Sequence, residues 1–316
     1  MVLAYNGADM QLTTTEIGIK GRFVNVRSIT FDGVETELVV TGRLLKVARV
    51  KDEWYEDVHE PSALVEKLGE MRSMVDILTF WQRLPETKPK YKYHMDWDSI
   101  AALRVESFED WYRRQIDTNA RRGIRKAREM GVVVRLTEFD DTFVQEMASI
   151  FNETPVRQGR PFWHYGKDIQ TLKLEFSRNL AREDVIGAYY QGELIGFIFL
   201  AYAGVYCLIT QIISKLEHRD KATNNALLAK AVEICEEKNV AYLVYLRWNE
   251  NSLSEFKRRN GFRKIDLPRY YIPLSLKGQI AMKAEFHHGL GALIPAKTKS
   301  LIRDLRNRYF SIRYPL

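Results

Sequence analysis

The chain has 316 residues, 46% of them hydrophobic and 28% charged, and carries a net charge of +7. This composition fits a soluble globular protein with one large or two small cores. No apolar run approaches the roughly 18 residues of a membrane-spanning helix, and the N-terminal residues lack the pattern of a secretory signal, so a cytoplasmic location is expected. Cys207 and Cys235, the two cysteines, fall inside apolar patterns and read as buried, reduced thiols.

The positive charge is concentrated. Residues 113–135 hold 8 basic and 2 acidic side chains, and residues 297–316 hold 6 and 1, so the rest of the chain is net acidic. Such clustering fits an anionic partner, whether nucleotide, tRNA or lipid phosphate, or else a solvated helix face and a basic tail.

In chain order, "FVNVRSITF", "TELVV" and "RLLKVARV" read as strands. "EPSALVEKLGEMR" reads as a helix opened by Pro61, and "MVDILTFWQ" as a buried strand. The polar stretch 86–98, with Pro85 just before it and Pro89 within it, reads as a linker or an extended edge. One long helix is expected over 107–131, capped by Ser107 and stopped by Gly131. The strand "VVVRLTEF" follows, then a helix opened by Asp140 and Asp141. After the loop "PVRQGRPFWHYGKD" come a helix over 169–182 and two β-rich runs joined at "QG", a hairpin turn. A second turn near Ala203-Gly204 leads to a third strand. "HRDKATNNALLAKAVEICEE" then reads as a loop and helix, with backbone N–H groups placed at a helix N-terminus, an anion site by geometry. A strand "AYLVYLRW", a helix "SLSEFKRRNG" and a strand "FRKIDLPRYYIPL" complete the pattern.

This order of elements over 131–274 resembles the GNAT superfamily of acyltransferases. "VIGAYYQGELIGFIFL" looks like its central meander, "HRDKATNNALL" stands where that family has its acyl-CoA loop, and "FKRRNGF" matches its late aliphatic-Tyr-x-x-x-Gly-Phe motif. Within the superfamily the chain is most similar to the Fem-type branch, the peptidoglycan aminoacyltransferases and their acetyltransferase-domain relatives. "ARRGIRKAREMGVVVR" resembles that branch's Arg-rich helix running into a Val-rich strand, and Lys257 stands where ordinary members have Tyr and the branch has Phe-Lys. The resemblance implies an α+β fold: a mixed, mostly antiparallel sheet flanked by helices. It further implies a degenerate N-terminal GNAT-like lobe over 1–106, an acyltransferase domain over 107–284 and a basic tail over 285–316.

An acyltransferase of this kind must hold its donor by the phosphates, stabilise an oxyanion and manage protons. Arg219, Lys221, Ala222, Thr223, Asn224 and Asn225 are the candidate donor-binding residues. The glycines usual in such a loop are missing, although Ala, Thr and Asn offer the same N–H groups; alternatively Thr223 or Asn224 is a plain N-cap. Lys257 is a candidate catalytic cation aimed at the developing oxyanion, against a reading as part of the solvated run Lys257, Arg258, Arg259. His164 and Glu153 are candidate bases. Arg157, Gln158, Arg160, Trp163, Tyr165 and Lys167 are candidates for holding the acceptor, as cations or stacking rings.

The function these readings imply is transfer of an acyl or aminoacyl group to an amine, on a small molecule, a sugar nucleotide or an envelope precursor. Acyl-CoA or aminoacyl-tRNA would be a co-substrate, with no tightly bound cofactor. A competing reading is a non-catalytic lobe that binds RNA or nucleotide through 113–135. His287 and His288 are adjacent, but the sequence shows no metal-ligand spacing, and no metal is expected. The apolar residues of 297–316 follow helical spacing between basic ones, which suits docking or a peripheral contact with an anionic membrane.

Overall fold

The computed structural model describes residues 10–19, 22–70, 74–248 and 252–288. The early β-rich runs form β1 (Met10–Ile19), β2 (Arg22–Phe31), β3 (Val34–Thr41) and β4 (Val47–Val50). Helix α1 (Pro61–Gly69) starts on Pro61 and buries Leu64 and Leu68, one turn apart on the same face. β5 (Ile77–Trp81) is buried along its whole length. The stretch 86–98, expected as a linker or an extended edge, is extended from His94 on, where it opens β6 (His94–Arg104), a strand anchored by buried Ile100 to Leu103.

The single helix expected over 107–131 is two. Ser107 caps α2 (Phe108–Asp110), which runs into a π-helical turn over Trp111–Gln115, and Ile116 is extended. Asp117 then caps α3 (Thr118–Glu129), accepting from the Ala120 N–H at 2.7 Å. The break has a tertiary cause. Trp111 is fully buried, and its indole N–H donates to the Asn260 carbonyl at 3.0 Å. The Arg121 guanidinium takes up the carbonyls of Tyr112, Arg113 and Ile116 that the broken helix leaves behind.

Next come β7 (Val133–Leu136) and α4 (Asp141–Phe151), the latter capped by Asp140. Two short strands, β8 (Val156–Arg157) and β9 (Arg160–Pro161), lead to α5 (Ile169–Ser177) and a 3₁₀ turn over Leu180–Arg182. The meander is β10 (Glu183–Tyr190), β11 (Glu193–Ala203) and β12 (Tyr206–Ser214). Gln191 and Gly192 both have positive φ in its first turn, the geometry of a two-residue hairpin. A 3₁₀ turn over Arg219–Lys221 precedes α6 (Thr223–Glu237). The chain continues through β13 (Tyr242–Arg247), α7 (Ser252–Arg259), β14 (Arg263–Pro273), α8 (Leu276–Lys283) and a 3₁₀ turn over Phe286–His288.

The chain divides into two compact units. Among the described residues, one holds those of 10–98, 158–163 and 267–288; the other holds those of 99–157 and 164–266. The division falls ahead of the expected boundary at 106/107 and assigns 267–284 to the N-terminal unit. Within the first unit, β1 to β4 pair antiparallel in succession, β4 and β5 are parallel, and β5 pairs antiparallel with β14. Within the second, β7, β10, β11 and β12 pair antiparallel, β12 and β13 are parallel, and β13 pairs antiparallel with β6. The two units thus share a plan: an antiparallel meander, a crossover helix (α1 or α6), a parallel neighbour and a final antiparallel strand. In the first unit that final strand, β14, comes from late in the chain, and in the second, β6 comes from the unit's own start. The first core gathers Leu38, Leu68, Phe80 and Tyr270, and the second Trp111, Ile198, Leu228 and Leu243.

Trp111 therefore has two roles, volume and a buried hydrogen bond. Trp111→Ala is expected to cost about 3–5 kcal/mol, and Trp111→Phe about 1–3 kcal/mol for the orphaned Asn260 carbonyl. Urea unfolding monitored by circular dichroism measures both.

Candidate active site

The second unit contains a fork. β12 pairs with β13 through Tyr206↔Tyr242, Cys207↔Leu243 and Leu208↔Val244, and no further. On the β11 side the register moves from Leu200↔Ile209 to Phe199↔Gln211, which leaves Thr210 as an extra residue that bends β12. β13 has its own irregularity: its register with β6 shifts between Val244 and Arg247, and Leu246 takes φ 51°.

Lys257 belongs to this irregularity. It is 3% exposed, and its ammonium donates to the carbonyls of Tyr245 at 2.7 Å and Arg247 at 2.9 Å, which flank Leu246. The same nitrogen lies 4.5 Å from the centre of the Tyr245 ring. It is not a solvated member of its run, whereas Arg258 and Arg259 are, each paired with Glu255. Burial pushes the Lys257 ammonium down to about 8.

The end of α7 is fastened to the start of α6 through Asn260, which is fully buried. The Asn225 side-chain amide donates to Asn260 Oδ1 at 3.2 Å, and the Asn260 amide donates to the Phe256 carbonyl at 2.8 Å. Asn225 is thus committed to packing, and Gly123 of α3 leaves it room.

The N-terminus of α6 differs from a plain cap. Ala222 is the N-cap, in the left-handed conformation (φ 53°, ψ 34°), and no side chain caps the helix. Neither Thr223 nor Asn224 does so; both lie inside the first turn. The Thr223 hydroxyl, on a residue 2% exposed, has no hydrogen-bond partner, and neither does the Asn224 side-chain oxygen. Alanine takes here the backbone shape that glycine takes more readily, at a cost of roughly 1–2 kcal/mol. Gly196 of β11 permits the approach: a Cβ there would stand 2.9 Å from Thr223 Cγ2 and 3.0 Å from the Ile213 carbonyl. Lys221 is buried beside this terminus, 3.3 Å from Asp220 and 4.6 Å above the Tyr190 ring, and Arg219 is exposed.

The remaining candidates separate. Glu153 accepts from the backbone N–H of Leu216 at 2.7 Å and of Glu217 at 2.9 Å, and from Arg157 at 2.9 Å. It braces the chain leaving β12 and is not a free base. Arg157 donates also to the carbonyls of Ile150 and Ser214, so its fork is spent on the fold. His164 stacks on Phe151 at 4.6 Å and 13°. Burial, with Lys167 nearby, lowers it to about 4, too weak for a general base near neutral pH. Lys167 is held by Glu175. Gln158, Arg160, Trp163 and Tyr165 are exposed. The sequence reading missed the structural partners Asn260 and Glu153's backbone donors, for which the only signal was position beside the two motifs.

No protein-family model matches the sequence, and no curated protein matches it. Solved structures do. FemX superposes with a TM-score of 0.57 at 10% identity, covering 86% of this chain and 90% of that one. The fold is Fem-like, a mixed, mostly antiparallel sheet flanked by helices. The C-terminal domain of a putative lysylphosphatidylglycerol synthetase from Agrobacterium fabrum gives 0.52 at 11% identity, covering 79% and 85%. L-PGS from Bacillus licheniformis gives 0.51 at 13% identity, covering 75% and 80%. At these identities the likeness is one of fold. Among the described residues, no helix is long and apolar enough to cross a membrane; the basic segment 297–316 lies outside the described residues.

Two outcomes follow from this geometry. Gly196→Val is expected to push the first turn of α6 off the sheet and to cost about 1–3 kcal/mol by overpacking, read as a lower urea midpoint. Lys257 is depressed to about 8 in the folded chain and returns to about 10.4 when unfolded. Between those values the unfolded chain retains a proton that the folded chain has released, so this group's contribution to stability rises with pH across the window. Its burial cost is complete below it. Unfolding free energies from about pH 7.5 to 9.5 are expected to show that rise in the native chain and to lose it in Lys257→Met.

Proposed function

We propose that this chain is an acyltransferase that joins an acyl or aminoacyl group to an amine, with the fork of β12 and β13 as the place of reaction. The observation that carries this reading is the pairing of two features on one brace. The uncapped N-terminus of α6 and the buried ammonium of Lys257 are tied together by the Asn225–Asn260 bond. The first feature suits a donor's phosphate: N–H groups at a helix start, the partnerless Thr223 hydroxyl, and Lys221 and Arg219 alongside. The second suits the reacting carbonyl. A cation already oriented by two carbonyls needs no reorganisation as negative charge grows on an oxygen nearby.

In this reading the amine attacks the donor carbonyl, the oxyanion forms near Lys257, and collapse expels the donor's thiolate or ribose oxygen. With Lys257 near 8, the same group is placed to return a proton to that leaving atom. The amine's proton would leave to solvent, since Glu153 and His164 are engaged elsewhere. The Fem-like fold and its likeness to a lysylphosphatidylglycerol synthetase domain support acyl transfer.

For the donor, the α3 surface favours a nucleic acid. Arg122, Arg125, Lys126 and Arg128 are exposed on a helix that packs against α6 through Gly123. Aminoacyl-tRNA is therefore proposed ahead of acyl-CoA, and the acceptor is an amine-bearing small molecule or envelope precursor. Thermal unfolding with aminoacyl-tRNA, acetyl-CoA and CoA in parallel separates the donors. The expected result is an upward shift with the charged tRNA that shrinks steeply with added salt and is weakened by Arg219→Glu. A shift by none of the three would remove the reading. In a turnover assay Lys257→Met is expected to lower kcat about 10²–10³-fold, with folding checked by circular dichroism; a kcat equal to that of the native chain would exclude Lys257 from the chemistry.

A further inference from the structure

The first unit holds a cluster that the acyl-transfer reading leaves unused. His94 and Asp96 lie two residues apart on β6 and so face the same way. His287, in the 3₁₀ turn that follows α8, meets them from 191 residues along the chain: its Nε2 lies 3.2 Å from Asp96 Oδ2. His94 Nε2 lies 3.9 Å from Asp96 Oδ1. One ligand atom from each of the three residues falls within 4.8 Å of the others. The sequence around His287 and His288 shows no metal-ligand spacing because the partners of His287 come from another element.

The surroundings are arranged in a graded way. The His287 side chain is 2% exposed and packs against the Tyr271 ring at 4.8 Å. Asp96 is 34% exposed and His94 53%. The His94 and His287 rings stand nearly perpendicular, 5.6 Å apart. The inner ligand is therefore fixed and the outer one adjustable, with water at the open side. The element that delivers His287 is also anchored. Ser275 caps α8 and donates to Asp76 at 2.7 Å, and Gly278 lets the helix sit directly on the Asp76 backbone.

We infer that His94, Asp96 and His287 form a binding site for one divalent transition-metal ion, Zn²⁺ by its chemistry. Two imidazoles with one carboxylate suit Zn²⁺ and its first-row neighbours, where Mg²⁺ and Ca²⁺ take oxygen ligands. Three protein ligands leave a fourth position to solvent. A tetrahedral ion with bonds of about 2.0–2.1 Å needs its donors roughly 3.3 Å apart. A rotation of the exposed His94 side chain covers the difference. Coordination replaces the direct His287–Asp96 hydrogen bond and joins the segment after α8 to β6.

The test uses the full, untagged chain stripped with a chelator. Calorimetric titration with Zn²⁺ is expected to give one site per chain, and Co²⁺ in its place the visible absorption of a four-coordinate ion. His94→Ala and Asp96→Asn are each expected to lower the Zn²⁺ affinity at least about tenfold. Both positions are at the surface, and circular dichroism confirms that each variant folds. Two outcomes would overturn the inference: no uptake of either ion at up to millimolar concentration, or uptake that neither substitution changes, which would place the ion elsewhere.

Discussion

The buried ammonium of Lys257 is the constraint around which the second unit is organised. A strand that breaks its pairing inside a protein leaves carbonyls without partners, and each such group costs about 1–3 kcal/mol if nothing replaces the lost bond. β13 does this just past Val244. Lys257 answers two of those carbonyls at once, on either side of the left-handed Leu246. Opening β12 from β13 is therefore affordable only with α7 docked in one orientation. Asn260 transmits that orientation to α6 and to Trp111. A deep cation, a strand irregularity and a helix start are in this sense one feature.

How much of this could be read from residues alone follows from the range of the interactions. The hairpin at Gln191-Gly192, the cap at Asp140 and the buried β5 are set by near neighbours and stand where the sequence places them. The late motif around Lys257 falls on α7 and the turn that follows it. What escapes is whatever depends on a partner far along the chain. The helix over 107–131 breaks because Trp111 meets Asn260, and Asp117 was legible as a cap only once that break is known. Glu153 and His164 had the chemistry of bases. Backbone donors after β12 and the Phe151 ring, neither visible in a linear pattern, commit them to packing. The loop before α6 shows both sides. Its position indicated an anion site, while the conformation expected of a glycine falls on Ala222 and the expected caps fall inside the helix.

The late position of β14 in the sequence has a consequence for how the chain is made. The N-terminal unit leaves the ribosome first, yet its core includes Tyr270, Ile272 and Leu274 from β14. Through most of synthesis β5 lacks its antiparallel neighbour, and an unpaired buried strand is prone to wrong partners. The unit of residues 99–157 and 164–266 has all its own strands sooner. Maturation thus runs against the direction of translation, with the first-made unit closing last around a segment near the other end.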